Sequence, residues 1–177
     1  FISDPTMQDT DSDKLSDYEE KTGWIITVNS KTFRVYSQPQ YRDFDRDMLD
    51  DYQEKQYGVN PFSADTDSDN LTDKREIDGW DIVVNDVLMH VNSIPYNKYS
   101  DSDNLDDWEE FRTGRTDPRN SDTDSDNLLD SDEITIEHLS YGRTSIKYIT
   151  YPNIADCDSD GVLDGNEYDW DKDSDFD

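Results

Sequence analysis

Residues 9–20 read Asp9-Thr-Asp-Ser-Asp-Lys-Leu-Ser-Asp-Tyr-Glu-Glu20. Carboxylates stand at positions 1, 3, 5, 9 and 12 of this stretch, which is the ligand spacing of the twelve-residue loop that wraps Ca²⁺. The spacing recurs along the chain, so that six loops, numbered 1 to 6 in chain order, occupy residues 9–20, 43–54, 65–76, 99–110, 122–133 and 156–167. A pattern repeated six times is not a chance match.

The spacing suits a hard cation, which takes six to eight oxygen ligands at about 2.3–2.6 Å. Side chains at positions 1, 3, 5 and 9 and the backbone carbonyl at position 7 can point inward, and Glu at position 12 closes the shell with two oxygens. The apolar side chain at position 7 is then free to pack into the core. The predicted metal ligands are Asp9, Asp11, Asp13, Leu15, Asp17, Glu20, Asp43, Asp45, Asp47, Leu49, Asp51, Glu54, Asp65, Asp67, Asp69, Leu71, Asp73, Glu76, Asp101, Asp103, Leu105, Asp107, Glu110, Asp122, Asp124, Asp126, Leu128, Asp130, Glu133, Asp156, Asp158, Asp160, Val162, Asp164 and Glu167.

Two departures from the loop pattern weaken individual sites. Tyr99 stands at position 1 of loop 4 and supplies no carboxylate, so a partner loop must help, and Asp106 is one candidate substitute. Position 6 favours Gly because the turn needs a positive φ. Lys14 and Met48 occupy it in loops 1 and 2, which predicts weaker binding or a shifted geometry there.

The composition alone indicates disorder, because the net charge is −29 and only 31% of the residues are hydrophobic. Most of the 45 acidic residues, however, stand at ligand positions. We therefore expect the fold to depend on about six or more Ca²⁺ ions. Nucleic acid is excluded as a partner by charge repulsion, no apolar run is long enough to span a membrane, and the single Cys157 excludes a disulfide within the chain.

The loops alternate between long and short spacings, so the repeating unit contains two loops. This predicts a linker at 1–8 and repeat units at 9–64, 65–121 and 122–177, stacked as one continuous array.

A β-hairpin and short helices are predicted within each unit. β-formers flank a turn at Asn29-Ser30, at Asn85-Asp86 and at Tyr141-Gly142, and the hairpins should supply most of the core. Gly residues two to four positions after a loop's final Glu, as at Gly23 and Gly58, indicate helices such as 49–57 that end at a positive φ. The predicted fold class is mainly irregular and β with short helices: an elongated, calcium-stabilised repeat array of acidic loops, short exiting helices and β-hairpins.

The Asp-Thr-Asp-Ser-Asp cores, the Leu at position 7 and the linkers Asn60-Pro61 and Asp117-Pro118 resemble thrombospondin type 3 repeats of the bacterial and archaeal type. A closer likeness, carried by Glu76-Ile-Asp-Gly-Trp80 and the acidic segment 101–114, is to the calcium domain of the binding components of anthrax-type and clostridial binary toxins. That resemblance implies that two loops form halves of one site holding a pair of ions. Loop 1 would then pair with loop 2, loop 3 with loop 4, and loop 5 with loop 6.

The leading functional expectation is an EF-hand-like, calcium-rigidified structural repeat protein that is secreted or displayed on a cell surface. It would act as a stalk, spacer or filament subunit, with neighbouring repeat units or subunits contacting one another head to tail. Millimolar Ca²⁺ outside cells suits weak sites of this kind. The alternative is the calcium-binding segment of a larger secreted toxin, adhesin or enzyme. The chain is not expected to be an enzyme itself, because its carboxylates are committed to metal.

Overall fold

The computed structural model describes residues 6–139 and 143–167, and within 135–139 and 143–148 it describes the backbone only. The described chain alternates short helices, small antiparallel hairpins and irregular loops, which confirms the predicted fold class at that level. Its elements are α1 (Asp17–Thr22), β1 (Trp24–Val28), β2 (Lys31–Val35), α2 (Asp51–Tyr57), α3 (Asp73–Asp78), β3 (Trp80–Val84), β4 (Val87–Val91), α4 (Asp107–Thr113), α5 (Asp130–Glu133), β5 (Ile134–Leu139), β6 (Arg143–Tyr148) and α6 (Asp164–Glu167).

Every described helix begins at position 9 of an acidic loop, and in α1, α2 and α4 the residue at position 8 caps it. In α2 the Asp50 side chain accepts a hydrogen bond from the Gln53 amide, and the Gln53 side chain accepts one from the Asp50 amide. This reciprocal capping box satisfies amides that a helix start would otherwise leave unpaired. The predicted helix at 49–57 therefore starts two residues later than expected, at Asp51.

Glycine ends the first four helices as predicted. Gly23, Gly58, Gly79 and Gly114 have φ values of 68°, 78°, 72° and 63°. The helix α5 has no such glycine and passes directly into β5 at Ile134. The described part of α5 and of α6 is four residues long in each case.

The described residues form three two-stranded antiparallel sheets, in which β1 pairs with β2, β3 with β4 and β5 with β6. In the first, Trp24 lies opposite Val35 and Val28 opposite Lys31, and the connecting Asn29 and Ser30 both take positive φ. Two positive φ values in succession define the type I′ turn that matches strand twist. The second hairpin turns in the same way at Asn85-Asp86. The predicted turn at Tyr141-Gly142 lies outside the described residues.

The core is supplied jointly by the loops and the hairpins. The position 7 leucines of loops 1 to 5 are 1–6% exposed, which confirms that their side chains pack inward. The hairpins add Ile26, Val35, Ile82 and Val91. Val162 of loop 6 differs, because it is 43% exposed.

The chain divides into two compact units. One contains the residues up to Asp78 together with Ile94–Lys98, and the other contains Gly79–Ser93 together with the residues from Tyr99 onward. The three sequence repeats and their continuous array stay predictions. In the described part of the chain, no helix has the length and apolar character needed to cross a bilayer.

Replacing Gly23 with Ala should destabilise the fold more than replacing Gly58. A Cβ at Gly58 meets nothing within 4 Å, so Gly58→Ala costs only the left-handed backbone penalty of about 1–2 kcal/mol. A Cβ at Gly23 would lie 2.2 Å from the Val35 carbonyl oxygen, which adds overpacking of about 1–3 kcal/mol. Denaturant unfolding with saturating divalent cation measures both variants, and equal losses would contradict the close approach seen at Gly23.

Candidate metal centres

Backbone amides of the loop turn donate hydrogen bonds to the Asp carboxylates of the same loop. In loop 1 the Ser12 amide donates to Asp9 Oδ1 at 2.7 Å, the Asp13 amide to Asp11 Oδ1 at 3.3 Å and the Leu15 amide to Asp13 Oδ1 at 2.6 Å. The second oxygen of Asp11, Oδ2, is buried and accepts no hydrogen bond from the described residues. Each loop turn therefore orients its carboxylates before any cation is considered.

The loop turn has the same backbone form whichever residue stands at position 6. Lys14 and Met48 have φ values of 89° and 83°, close to the 88° of Asn70. The backbone at position 6 therefore shows no shifted geometry in loops 1 and 2, and weaker binding there stays a prediction. Hydrogen bonds from the Lys14 amide to Asp9 and from the Met48 amide to Asp43 outweigh the left-handed strain.

Within the loops, the predicted ligands come together. Carboxylate oxygens within 4.8 Å of one another form the groups Asp9, Asp11 and Asp13; Asp43, Asp45 and Asp47; Asp65, Asp67 and Asp69; and Asp101, Asp103 and Glu110. Groups of hard oxygen donors at this spacing can hold a metal ion.

The position 12 glutamates of loops 1 to 5 are completely buried. Both carboxylate oxygens of Glu54 and of Glu110 accept no hydrogen bond from the described residues. Burial, with neighbouring Asp side chains adding to it, raises the pKa of Glu54 to about 10 and that of Glu110 to about 11. A buried carboxylate without donors is unfavourable unless it is protonated or bound to a cation.

The position 9 carboxylates brace the loops. Asp73 accepts hydrogen bonds from both the amide and the hydroxyl of Thr66, at 2.8 and 2.7 Å. Position 2 is Thr or Ser in three further loops and makes the same pair of bonds to Asp17, Asp107 and Asp130. Direct metal ligation by these four residues stays a prediction.

Loops 2 and 6 lack a hydroxyl at position 2, where Phe44 and Cys157 stand. The Phe44 and Cys157 amides still donate to Asp51 Oδ1 and Asp164 Oδ1, at 3.4 and 2.9 Å. The other oxygens of Asp51 and Asp164 are buried and accept no hydrogen bond from the described residues. These two oxygens are candidate ligands for a cation.

Consecutive loops contact each other through the position 5 carboxylate. Asp13 Oδ2 accepts a hydrogen bond from the Tyr52 amide at 3.1 Å, and Asp126 Oδ2 accepts one from the Gly165 amide at 2.9 Å. These bonds join loop 1 to loop 2 and loop 5 to loop 6, as the resemblance implies. A third bond, from the Lys74 amide to Asp47 Oδ2 at 3.3 Å, joins loop 2 to loop 3, which the proposed pairing did not include.

The charges of neighbouring loops also converge. Burial raises the pKa of Asp51 to about 7, and Asp13 of loop 1 contributes to that rise. Burial likewise raises the pKa of Asp130 to about 8, and Asp103 of loop 4 contributes. A cation placed among these groups would relieve the repulsion within one loop and between two loops together.

Asp106 does not replace the carboxylate that Tyr99 lacks. Its Oδ1 accepts a hydrogen bond from the Glu109 amide at 2.8 Å and caps α4, as Asp50 caps α2. The proposed substitute role is therefore wrong. Asp101, Asp103 and Glu110 still form a close group without it.

Two hydroxyl groups that the sequence analysis missed orient closing glutamates. Ser37 Oγ donates to Glu20 Oε1 at 3.0 Å, and Thr150 Oγ1 donates to Glu133 Oε1 at 2.8 Å. In each case Oε2 of the same glutamate is buried and accepts no hydrogen bond from the described residues. The sequence feature that indicates this contact is a hydroxyl-bearing residue two positions after the second strand of a hairpin, as at Ser37 and Thr150.

Comparisons with protein-family models, with curated proteins and with solved structures gave no match to this chain. The likeness to thrombospondin type 3 repeats therefore rests on the motif residues alone.

Asp106→Asn should preserve cation affinity and stability, since Asn caps helices as well as Asp does. Asp106→Ala should lose about 0.5–2 kcal/mol of stability through the missing cap. Calorimetric cation titration and denaturant unfolding of both variants measure this, and a large affinity loss in Asp106→Asn would restore the ligand role.

In the cation-free protein, acidification should favour folding. Burial raises the pKa of Glu20 to about 8 and of Glu133 to about 9, well above the ordinary value of a glutamate in an unfolded chain. The folded state therefore holds these protons more tightly, and its stability falls as pH rises toward those values. In chelator, the folded fraction measured by circular dichroism should be higher at pH 5 than at pH 8. A folded fraction that rises with pH would contradict the burial described.

Proposed function

We propose that this chain is a calcium-binding structural repeat protein whose fold is built around bound Ca²⁺ and which works outside the cell. The observation that carries the proposal is the state of Glu54 and Glu110, which are fully buried and whose four carboxylate oxygens accept no hydrogen bond from the described residues. Each lies beside Asp side chains of its own loop. A divalent cation in each loop would satisfy both oxygens of its glutamate and the neighbouring Asp side chains together.

Calcium suits the donor set better than other biological divalent ions. The close groups detailed above contain only carboxylate oxygens, which favours Ca²⁺, Mg²⁺ or Mn²⁺ over Zn²⁺ or Cu²⁺. Ca²⁺ accepts six to eight oxygens in a flexible geometry, including a bidentate Glu, whereas Mg²⁺ requires a small octahedron and keeps several waters. The two unpaired oxygens of Glu54 fit the bidentate position.

A structural role follows from the distribution of the sites. The six loops repeat one design along the chain, and the hairpins and helices between them are short. Bound Ca²⁺ would cross-link these small elements, whose apolar core is limited, into a rigid stalk, spacer or filament subunit with units stacked head to tail. Millimolar extracellular Ca²⁺ would keep even weak loops filled, which supports a secreted or cell-surface location.

Glu54→Gln should weaken Ca²⁺ binding by at least about 10- to 100-fold at one site or site pair. Substituting a residue that only hydrogen-bonds to a metal ligand already lowers metal affinity by about that factor, and Glu54 is a predicted ligand itself. Asp86→Asn is the matched control, because it removes one negative charge from an exposed hairpin turn whose φ of 65° Asn tolerates. Isothermal calorimetry with Ca²⁺ and with Mg²⁺ measures both variants.

The parent should bind Ca²⁺ at several sites and prefer it to Mg²⁺, and Asp86→Asn should bind as the parent does. Absence of Ca²⁺ binding by the parent, or equal losses in the two variants, would contradict the proposal.

A further inference from the structure

The tip of the first hairpin makes contacts far from its own strands. The Asn29 amide donates to the Tyr96 carbonyl at 2.9 Å, and the Asn29 Oδ1 accepts from the Lys98 amide at 3.1 Å. The Asn29 Nδ2 donates to the Asp67 carbonyl at 3.3 Å. Asp67 stands at position 3 of loop 3, and its backbone is therefore tied to a turn 38 residues earlier in the chain.

The second hairpin repeats these contacts atom for atom. The Asn85 amide donates to the Asn153 carbonyl at 2.9 Å, and its Oδ1 accepts from the Ala155 amide at 3.1 Å. Its Nδ2 reaches the Asp124 carbonyl at 3.4 Å, and Asp124 is position 3 of loop 5. The same three bonds occur at two hairpins, which indicates that the Asn at the first turn position specifically docks the hairpin tip.

The base of the first hairpin contacts a different loop. Ser37, two residues after the last residue of β2, donates its hydroxyl to Glu20 Oε1 at 3.0 Å, and Glu20 closes loop 1. Five paired residues per strand separate this base from the tip, a span of about 17 Å at about 3.4 Å per residue. The hairpin thus connects the closing ligand of loop 1 to the backbone of loop 3.

We propose that the first hairpin is a strut that couples cation binding in loop 1 to cation binding in loop 3, with Asn29 as the positioning residue at its tip. The inference rests on the proposed calcium binding. Ca²⁺ in loop 1 fixes Glu20, Glu20 fixes the hairpin base through Ser37, and the docked tip holds loop 3 in its binding geometry. The two states of the strut are the docked and the undocked tip, and coupling of this kind is reciprocal between the two loops.

A second route from loop 1 to loop 3 runs through loop 2, by way of the Asp13–Tyr52 and Asp47–Lys74 bonds. The test must therefore separate the two routes. Asn29→Gly keeps the positive φ of the type I′ turn and the backbone bond to Tyr96 but removes both side-chain bonds, and it leaves loop 2 untouched. Ser30→Gly is the matched control, because it makes the same kind of change at the second residue of the turn. Ser30 is exposed and has a φ of 64°.

Site-resolved NMR titration with Ca²⁺ gives the readout. The amides of Ser12 and Lys14 report on loop 1, and those of Ser68 and Asn70 report on loop 3, because each donates to the position 1 carboxylate of its loop. Glu20→Gln should weaken Ca²⁺ binding in loop 3, as reported by these amides, about fivefold or more, both in the parent and in Ser30→Gly. A change of about fivefold is the low end of the coupling usually measured between two sites. In the Asn29→Gly background the same substitution should change loop 3 affinity less than twofold.

Asn85→Gly provides a second control, because its tip contacts loop 5 and not loop 3. It should leave the effect of Glu20→Gln on loop 3 intact. An equal effect of Glu20→Gln with and without Asn29→Gly would overturn the strut and leave calcium binding standing. Parent amides that do not respond to Ca²⁺ at all would overturn the proposed function and the strut together.

Discussion

The buried oxygens of Glu54 and Glu110 accept no hydrogen bond from the described residues, and their nearest charged neighbours are Asp side chains. Both glutamates lie in the first turn of a helix and are fully buried, and the position 7 leucine of each loop is buried as well. Repulsion among such groups opposes the same packing that buries the leucines. At neutral pH a bound cation would relieve this repulsion, and we therefore propose that metal binding and folding are one equilibrium.

The hydrogen-bond network explains how a chain with a net charge of −29 can still hold fixed turns. Backbone amides donate hydrogen bonds to most Asp carboxylates of the loops. In four loops a Thr or Ser at position 2 also donates to the position 9 carboxylate. Position 5 then reaches forward to the first turn of the next helix, as Asp13 and Asp47 do. Loop 1 is thus bonded to loop 2, loop 2 to loop 3, and loop 5 to loop 6.

Local patterns in the sequence predicted the local structure well. The six loops, the turns at Asn29-Ser30 and Asn85-Asp86 and the buried position 7 leucines follow from spacings of a few residues, and the structure contains them. The role of Asp106 is also set locally, because an Asp three residues before Glu109 forms a capping box. The contacts of Ser37 and Asn29 could not be predicted, because they join residues 17 and 38 or more positions apart and no spacing rule marks them.

The most direct test of the account is amide hydrogen exchange of the position 7 residues with Ca²⁺ and with chelator. The amides of Leu15, Leu49, Leu105 and Leu128 donate to the position 5 carboxylates of their own loops, at 2.6 to 2.8 Å. With Ca²⁺ they should be among the most protected amides of the chain. In chelator at neutral pH they should exchange nearly as fast as in an unfolded peptide, because the repulsion returns. Protection that is unchanged by chelator would contradict the claim that a bound cation holds this fold together.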